Sequence, residues 1–263
     1  MKPGGAVTSR DRLLDPQVSR ALGWASLVSL VVLALFGLWG APEDGIQKEA
    51  QRLMYLHVPA AWLAYLAFGV TAAASALFLW PRTRSMVWDR LAGASAELGV
   101  LFTALTLVLG PLWGKPVWGI WWAWDARLVT TAVLFFLYLG YLALRRIPTG
   151  DPIGGAKRNA IAALIAFVDV PIVHFSVEWW RTLHQKATVF NPQLSAKIDG
   201  VMALTLWIGV LAFTILYVYL LDRRYRLASL EDQMEQREVD AAIAERIGAP
   251  PAAPPAPPVE VGR

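Results

Sequence analysis

Three histidines, His57, His174 and His184, and no cysteine make up the soft-ligand inventory of this 263-residue chain. Without thiols, disulfides, zinc–thiolate centres and thioether attachment of a prosthetic group to this chain are excluded. Neutral imidazole remains as a ligand for a transition metal. A second concentration of unusual residues is WGIWWAWDAR, residues 118–127, where Trp118, Trp121, Trp122 and Trp124 are followed by Asp125 and Arg127. Indoles are the largest flat apolar side chains and cover flat apolar partners. If 118–125 is helical, Trp118, Trp121, Trp122 and Asp125 stand at i, i+3, i+4 and i+7 and form one broad face. Asp125 has a second reading as the N-cap of the apolar run that follows, its carboxylate accepting amides of the first turn. Both readings stay open in the sequence. Gly110, Pro111, Gly114, Lys115 and Pro116 predict that the chain turns upstream of the cluster instead of running through it as helix.

An aromatic shelf flanked by histidines on neighbouring loops suits a flat, apolar ligand with a metal at its centre. Haem fits that description. Indoles cover the macrocycle, imidazoles take the axial positions, and a cation such as Lys115, Arg127 or Arg181 pairs with a propionate. For the pair His57 and His184 axial ligation is preferred to a structural hydrogen-bonding role, on the condition that the indoles form the shelf. His174, at the outer end of the fifth apolar run, reads as a structural hydrogen-bonding residue. The sequence carries no Gly-rich phosphate loop, no Ser/His/Asp arrangement and no paired carboxylates.

The elements that must position these residues are membrane spans. The chain is 56% hydrophobic, with a mean hydropathy of +0.45, well above ordinary soluble domains. Six continuous apolar runs, at about 21–40, 58–80, 91–112, 128–144, 159–175 and 200–221, approach the roughly 20 residues needed to cross a bilayer as helix. The expected fold is therefore all-α: a polytopic bundle of six transmembrane helices over 21–222, after a cytoplasmic lead of residues 1–20. The first run has no small-residue cleavage site at its end and reads as an uncleaved anchor. Seventeen Lys and Arg fall on the side of both termini and seven on the other, so both termini are expected in the cytoplasm. The net charge of +4 restates that bias and does not imply nucleic acid. The cytoplasmic tail, 223–263, begins as a charged segment that can form a surface helix from about residue 230 and ends in a Pro/Ala-rich stretch expected to be disordered.

Three external loops remain, at 41–57, 113–127 and 176–199. In the first, Ile46, Ala50, Leu53, Met54 and His57 share one face of a helix lying on the membrane. In the third, Val177, Trp180 and His184 share one face if helical. Nine of the thirteen tryptophans are placed outward, three inward and one, Trp207, within the last span. An aromatic belt anchors both interfaces and predicts rough symmetry, so a belt alone does not account for the cluster. Asp169 lies inside the fifth span, where a charge is expensive and marks a functional or paired site; a protonated carboxyl donating to a carbonyl freed by Pro171 is the structural alternative. Glu97 is expected to reach Arg90 or Arg84.

YLHVPAAW (55–62), WGKPVWGIWWAWDAR (113–127) and VEWWRTLHQ (177–185) resemble the hallmark stretches of the CcmC family, haem-handling membrane proteins (haem exporter C) of cytochrome c maturation system I. The resemblance runs from about residue 20 to 222, and its Trp-rich "WWD" segment is specific to a haem-handling superfamily. It implies non-covalent, transient binding of haem b at the outer face of the bacterial inner membrane. The ligands would be His57 and His184, and the haem would be contacted by Trp113, Trp118, Gly119, Trp121, Trp122, Trp124, Asp125, Arg127 and Trp180. Implied partners are the small single-span protein CcmD, the haem chaperone CcmE, which captures a haem vinyl group, and the ATPase complex of CcmA with CcmB. An amide is expected where this chain has Asp169, and a shorter tail than this one.

The resulting expectation is a holding site, not an enzyme with acid–base chemistry: proximity and orientation would supply most of the rate of attachment to the chaperone. Two other classes compete. A b-type electron-transfer subunit ligates haem within its spans, and this chain offers no inner histidine. A haem transporter wants ionisable groups along a path through the membrane, and only Glu97 and Asp169 qualify. A synthase-type member of the superfamily would be longer, with further histidines.

Overall fold

The computed structural model describes residues 13–184 and 200–246. The expectations for the lead before residue 13, for 185–199 of the third external loop and for the Pro/Ala-rich end after residue 246 lie outside these residues. Among the described residues the chain is helical, and six segments are long and apolar enough to cross a membrane. In chain order the helices are α1 (Pro16–Leu35), α2 (Met54–Leu79), α3 (Met86–Trp118), α4 (Ala126–Arg145), α5 (Pro152–Phe167), α6 (Asp169–Trp179) and α7 (Gly200–Arg246). The fifth span is α5 and α6 together, broken at Val168, three residues before Pro171, which cannot donate to the preceding turn.

Local chemistry explains most helix starts. Asp15, Asp125 and Asp151 each accept an amide of the following turn, from Gln17 at 2.8 Å, Leu128 at 2.9 Å and Ile153 at 3.0 Å. Pro16 and Pro152 occupy first-turn positions that need no amide donor. α2 is the central helix, packed against α3, α5 and α7, while α1 lies on α7 and α4 on α6. Small residues let the helices approach closely: Ala60, Ala64, Ala67, Ala96 and Ala163 are buried along these seams. Phe68 stacks on Tyr138 with ring centroids 3.7 Å apart, and Gly99 leaves the room, since a Cβ there would stand 2.4 Å from the Phe68 ring. Pro59 cannot donate to the Tyr55 carbonyl, and Gly209 of α7 packs against both.

One end of the bundle carries the Arg–carboxylate pairs that join different helices. Arg145 grips Asp89 through two bonds of 2.8 and 2.9 Å, and Arg90 pairs with Asp232 at 2.8 Å. Glu97 pairs with Arg224 of α7, not with Arg90 or Arg84, because α7 runs alongside α3 here and presents its guanidinium. The N-terminal end of α1 joins the same end: Asp222 accepts from Leu14 N at 3.1 Å and Ser19 Oγ at 2.7 Å. α7 continues unbroken to Arg246, so the segment from about residue 230 extends the sixth spanning helix instead of forming a separate surface helix.

The opposite end differs from expectation in three places. α3 runs through Pro111 and Pro116 to Trp118 as one helix. Each proline forfeits one backbone bond, at about 3 kcal/mol; α3 packs on α2 beside Pro111, where Gly110 meets His57. The surface helix expected in the first loop is absent. Asp44 accepts the amides of Ile46 and Gln47 at 2.8 and 2.6 Å, Lys48 takes a positive φ of 51°, and only Glu49–Leu53 forms a short 3-10 turn. Ile46 consequently stands 93% exposed, and His57 belongs to the first turn of α2. In the third loop the helix stops at Trp179, and Trp180 is extended, so Val177, Trp180 and His184 share no helical face.

Candidate functional site

The Trp-rich segment is split by a single glycine. α3 ends at Trp118, and Gly119 takes φ +77°, its amide closing the helix on the Lys115 carbonyl at 3.0 Å. Residues 120–125 are non-helical, so the helical indole face expected over 118–125 does not form. Lys115 fastens the turn, donating from Nζ to the Gly119 carbonyl at 2.8 Å and lying over the Trp121 ring. The chain then re-enters the bundle at Asp125, the N-cap of α4.

Asp125 does more than cap. Its Oδ1 accepts from the Leu128 amide, and its Oδ2 accepts from the Leu183 amide at 3.1 Å and faces His184 Nδ1 at 3.3 Å. One carboxylate therefore joins the start of α4 to the turn that follows α6. Burial pushes this carboxyl up, but the two amides and the His184 ring outweigh it and hold it below the usual carboxylate range. Burial pushes His184 down by more than Asp125 raises it, so the ring favours its neutral form, which carries a metal-binding lone pair.

These elements enclose a cavity of about 560 Å³, a size typical of small-molecule and cofactor sites, roughly 300–1,000 Å³. His57 of α2 and His184 both line it, together with Trp113, Trp118, Trp121, Trp122 and Arg127. Trp118 meets His184 edge to face, and Trp113 meets His57 in the same manner with centroids 5.7 Å apart. Trp113 is itself held by its Nε1 donating to Gln47 at 2.9 Å. Gly110 lets α3 approach the His57 ring, since a Cβ there would stand 3.3 Å from its Cε1. Arg127 presents a cation at the wall while its guanidinium donates to the His174 carbonyl at 2.8 Å and to Ser176 Oγ at 3.2 Å.

Other predicted contacts fall elsewhere. Trp124 is 86% exposed and packs its ring against Trp122, and Trp180 is 51% exposed against Trp179. Gly119 and Asp125 shape the walls without lining them. Arg181 is exposed. Sequence reasoning missed Gln47, Tyr65, Thr103, Thr106 and Thr131 as lining residues and set aside His174, whose ring reaches the wall beside Tyr65. The signal for the last was available: His174 lies at the outer end of the fifth span, about one helical turn before Val177.

The walls are mostly apolar, and two polar atoms of lining residues, His57 Nδ1 and Trp122 Nε1, are buried without a partner. Among the described residues no three His, Asp or Glu side chains converge as a set for a bare metal ion. Two imidazoles facing one apolar, indole-walled space are instead a donor set for a metal already held in a flat ring.

Residues 7–240 match the family model for heme exporter protein C. The chain belongs to the heme exporter protein C family. It is 38% identical over 225 residues to heme exporter protein C of Bradyrhizobium diazoefficiens, covering 84% of this chain and 81% of that one. The same protein of Haemophilus influenzae is 39% identical over 230 residues, covering 86% and 90%. A cytochrome c biosynthesis ccmC-like mitochondrial protein of Marchantia polymorpha is 35% identical over 209 residues, covering 79% and 88%. The stretches that define the cavity of this heme exporter protein C family member, 55–62, 113–127 and 177–184, all lie inside the matched region.

Proposed function

We propose that this chain serves cytochrome c biogenesis by binding haem between His57 and His184 at the outer face of the bacterial inner membrane and presenting it to the chaperone CcmE. The observation that carries this reading is the convergence of both histidines with Trp113, Trp118, Trp121 and Trp122 on one apolar cavity. The membrane orientation rests on the excess of Lys and Arg at the bundle end opposite the cavity.

The residues act by holding. His57 and His184 fix the iron of non-covalently bound haem b, the indoles orient the ring, and Arg127 supplies a cation for a propionate. In this reading the contribution of the described cavity residues to covalent attachment on the chaperone is proximity and orientation. The chain works in this reading with the small protein CcmD, and CcmA with CcmB frees the loaded chaperone.

The test is haem content and the Soret spectrum of the protein purified with its small partner, as wild type, His57→Ala and His184→Ala, with and without imidazole. Loss or perturbation of haem in both variants, restored by imidazole, supports the site. Unchanged haem and spectra in both would remove it. Covalent haem on co-expressed CcmE, resistant to acid extraction, should fall in parallel; a normal yield in both variants would refute the presentation step.

A further inference from the structure

We propose that the two candidate axial ligands are not equivalent: Asp125 makes His184 the retained anchor of the iron, and His57 the ligand that exchanges when haem leaves. The inference rests on the haem-binding reading above and assigns the order in which the site lets go.

The asymmetry lies behind the rings. His184 Nδ1 faces Asp125 Oδ2 at 3.3 Å, and that carboxylate is itself fixed by the amides of Leu128 and Leu183. A carboxylate only accepts, so the bond requires the proton on Nδ1 and leaves the lone pair on Nε2. A histidine whose second nitrogen donates to a carboxylate is held in orientation and is a more basic ligand. His184 is thus oriented by an anion seated at the N-terminus of α4 and steadied by Trp118. His57 has no carboxylate behind it. Its Nδ1 is buried and unpartnered, and the backbone group acting on its ring is the neutral Thr106 carbonyl. Packing against Trp113 and Gly110 holds this ring in place without raising its basicity.

The iron–His57 bond should therefore open first, freeing a coordination position on the α2 side while His184 keeps its hold. Asp125 acts through His184 and is a positioning residue.

The experiment uses the full chain with its small partner in detergent, titrated with hemin and followed at the Soret band. His184→Gly should weaken hemin binding at least roughly tenfold more than His57→Gly. Asp125→Ser keeps one oxygen for the Leu128 amide but offers no second acceptor; it should weaken binding about 10–100-fold and abolish the difference between the two histidine variants. In the ferrous protein, carbon monoxide displaces the weaker ligand. The wild-type Fe–CO vibrational band should match that of His57→Gly, differ from that of His184→Gly, and shift in Asp125→Asn.

Equal losses in the two histidine variants, or a wild-type CO adduct matching His184→Gly, would overturn the asymmetry while leaving the haem site intact. An unchanged affinity and spectrum in both histidine variants would bring down the haem site, and the asymmetry with it. If Asp125→Ser does not fold, the comparison of wild type with the two histidine variants still decides.

Discussion

Trp118 and His184 meet edge to face, ring centroids 5.0 Å apart and planes at 71°, joining the last residue of α3 to the turn beyond α6. Such pairs contribute about 0.5–1.5 kcal/mol beyond the area they bury. Trp118→Ala removes both the cavity wall and the lateral support of His184. Hemin affinity should fall roughly tenfold or more, about 1.4 kcal/mol, and Trp118→Phe should recover most of it. A hemin titration that returns wild-type affinity for Trp118→Ala would show that the shelf does not bear on the ligand.

Gly119 is the hinge on which the 120–125 segment turns into the cavity. Its φ of +77° suits glycine, and a Cβ there would meet nothing within 4 Å, so the penalty for a side chain is torsional alone. Gly119→Ala should cost about 1–2 kcal/mol and lower the melting temperature in detergent. Gly119→Asn should cost less, because asparagine tolerates the left-handed region. Equal melting temperatures for all three proteins would refute this account of the turn.

The paired charges at the other end should be separable from the site. Asp89→Ala leaves Arg145 inside the bundle without its carboxylate, a loss of about 3–5 kcal/mol. Replacing both, as Asp89→Leu with Arg145→Met, should restore most of the stability. Chemical unfolding measures the first effect. The Soret spectrum of any haem-loaded variant should stay unchanged, since α3 and α4 separate this pair from the cavity by most of their length.

Asp169 is 8% exposed and its Oδ2 is buried with no partner. A carboxylate in that position costs stability, and a neutral amide of the same shape lowers that cost by removing the charge. Asp169→Asn should match or exceed the wild-type melting temperature, with haem occupancy unchanged. A loss of haem occupancy in this variant would instead place the carboxyl among the functional groups.

What the sequence determines by itself here is what local chemistry and bilayer thickness impose. Six apolar runs become six spans because every backbone group in hydrocarbon must bond within its own helix. Asp15, Asp125 and Asp151 cap because a short carboxylate before an apolar run reaches the amides of the next turn. The grouping of His57 and His184 with the tryptophans at one end was likewise readable from which loops they occupy.

Only the tertiary structure decides the rest. Pro111 and Pro116 read as breaks, yet α3 continues through both, packed on α2 beside the first. Asp44 forms a turn where apolar periodicity pointed to a surface helix. Glu97 finds Arg224 on a helix distant in sequence. Trp124 and Trp180, indistinguishable by residue type from Trp118 and Trp122, face away from the cavity. The contact of Asp125 with His184 is of the same kind. Its capping role was legible from three neighbouring residues, but its second oxygen is committed by the folding of α4 against α6, a relationship between distant segments that no local pattern carries.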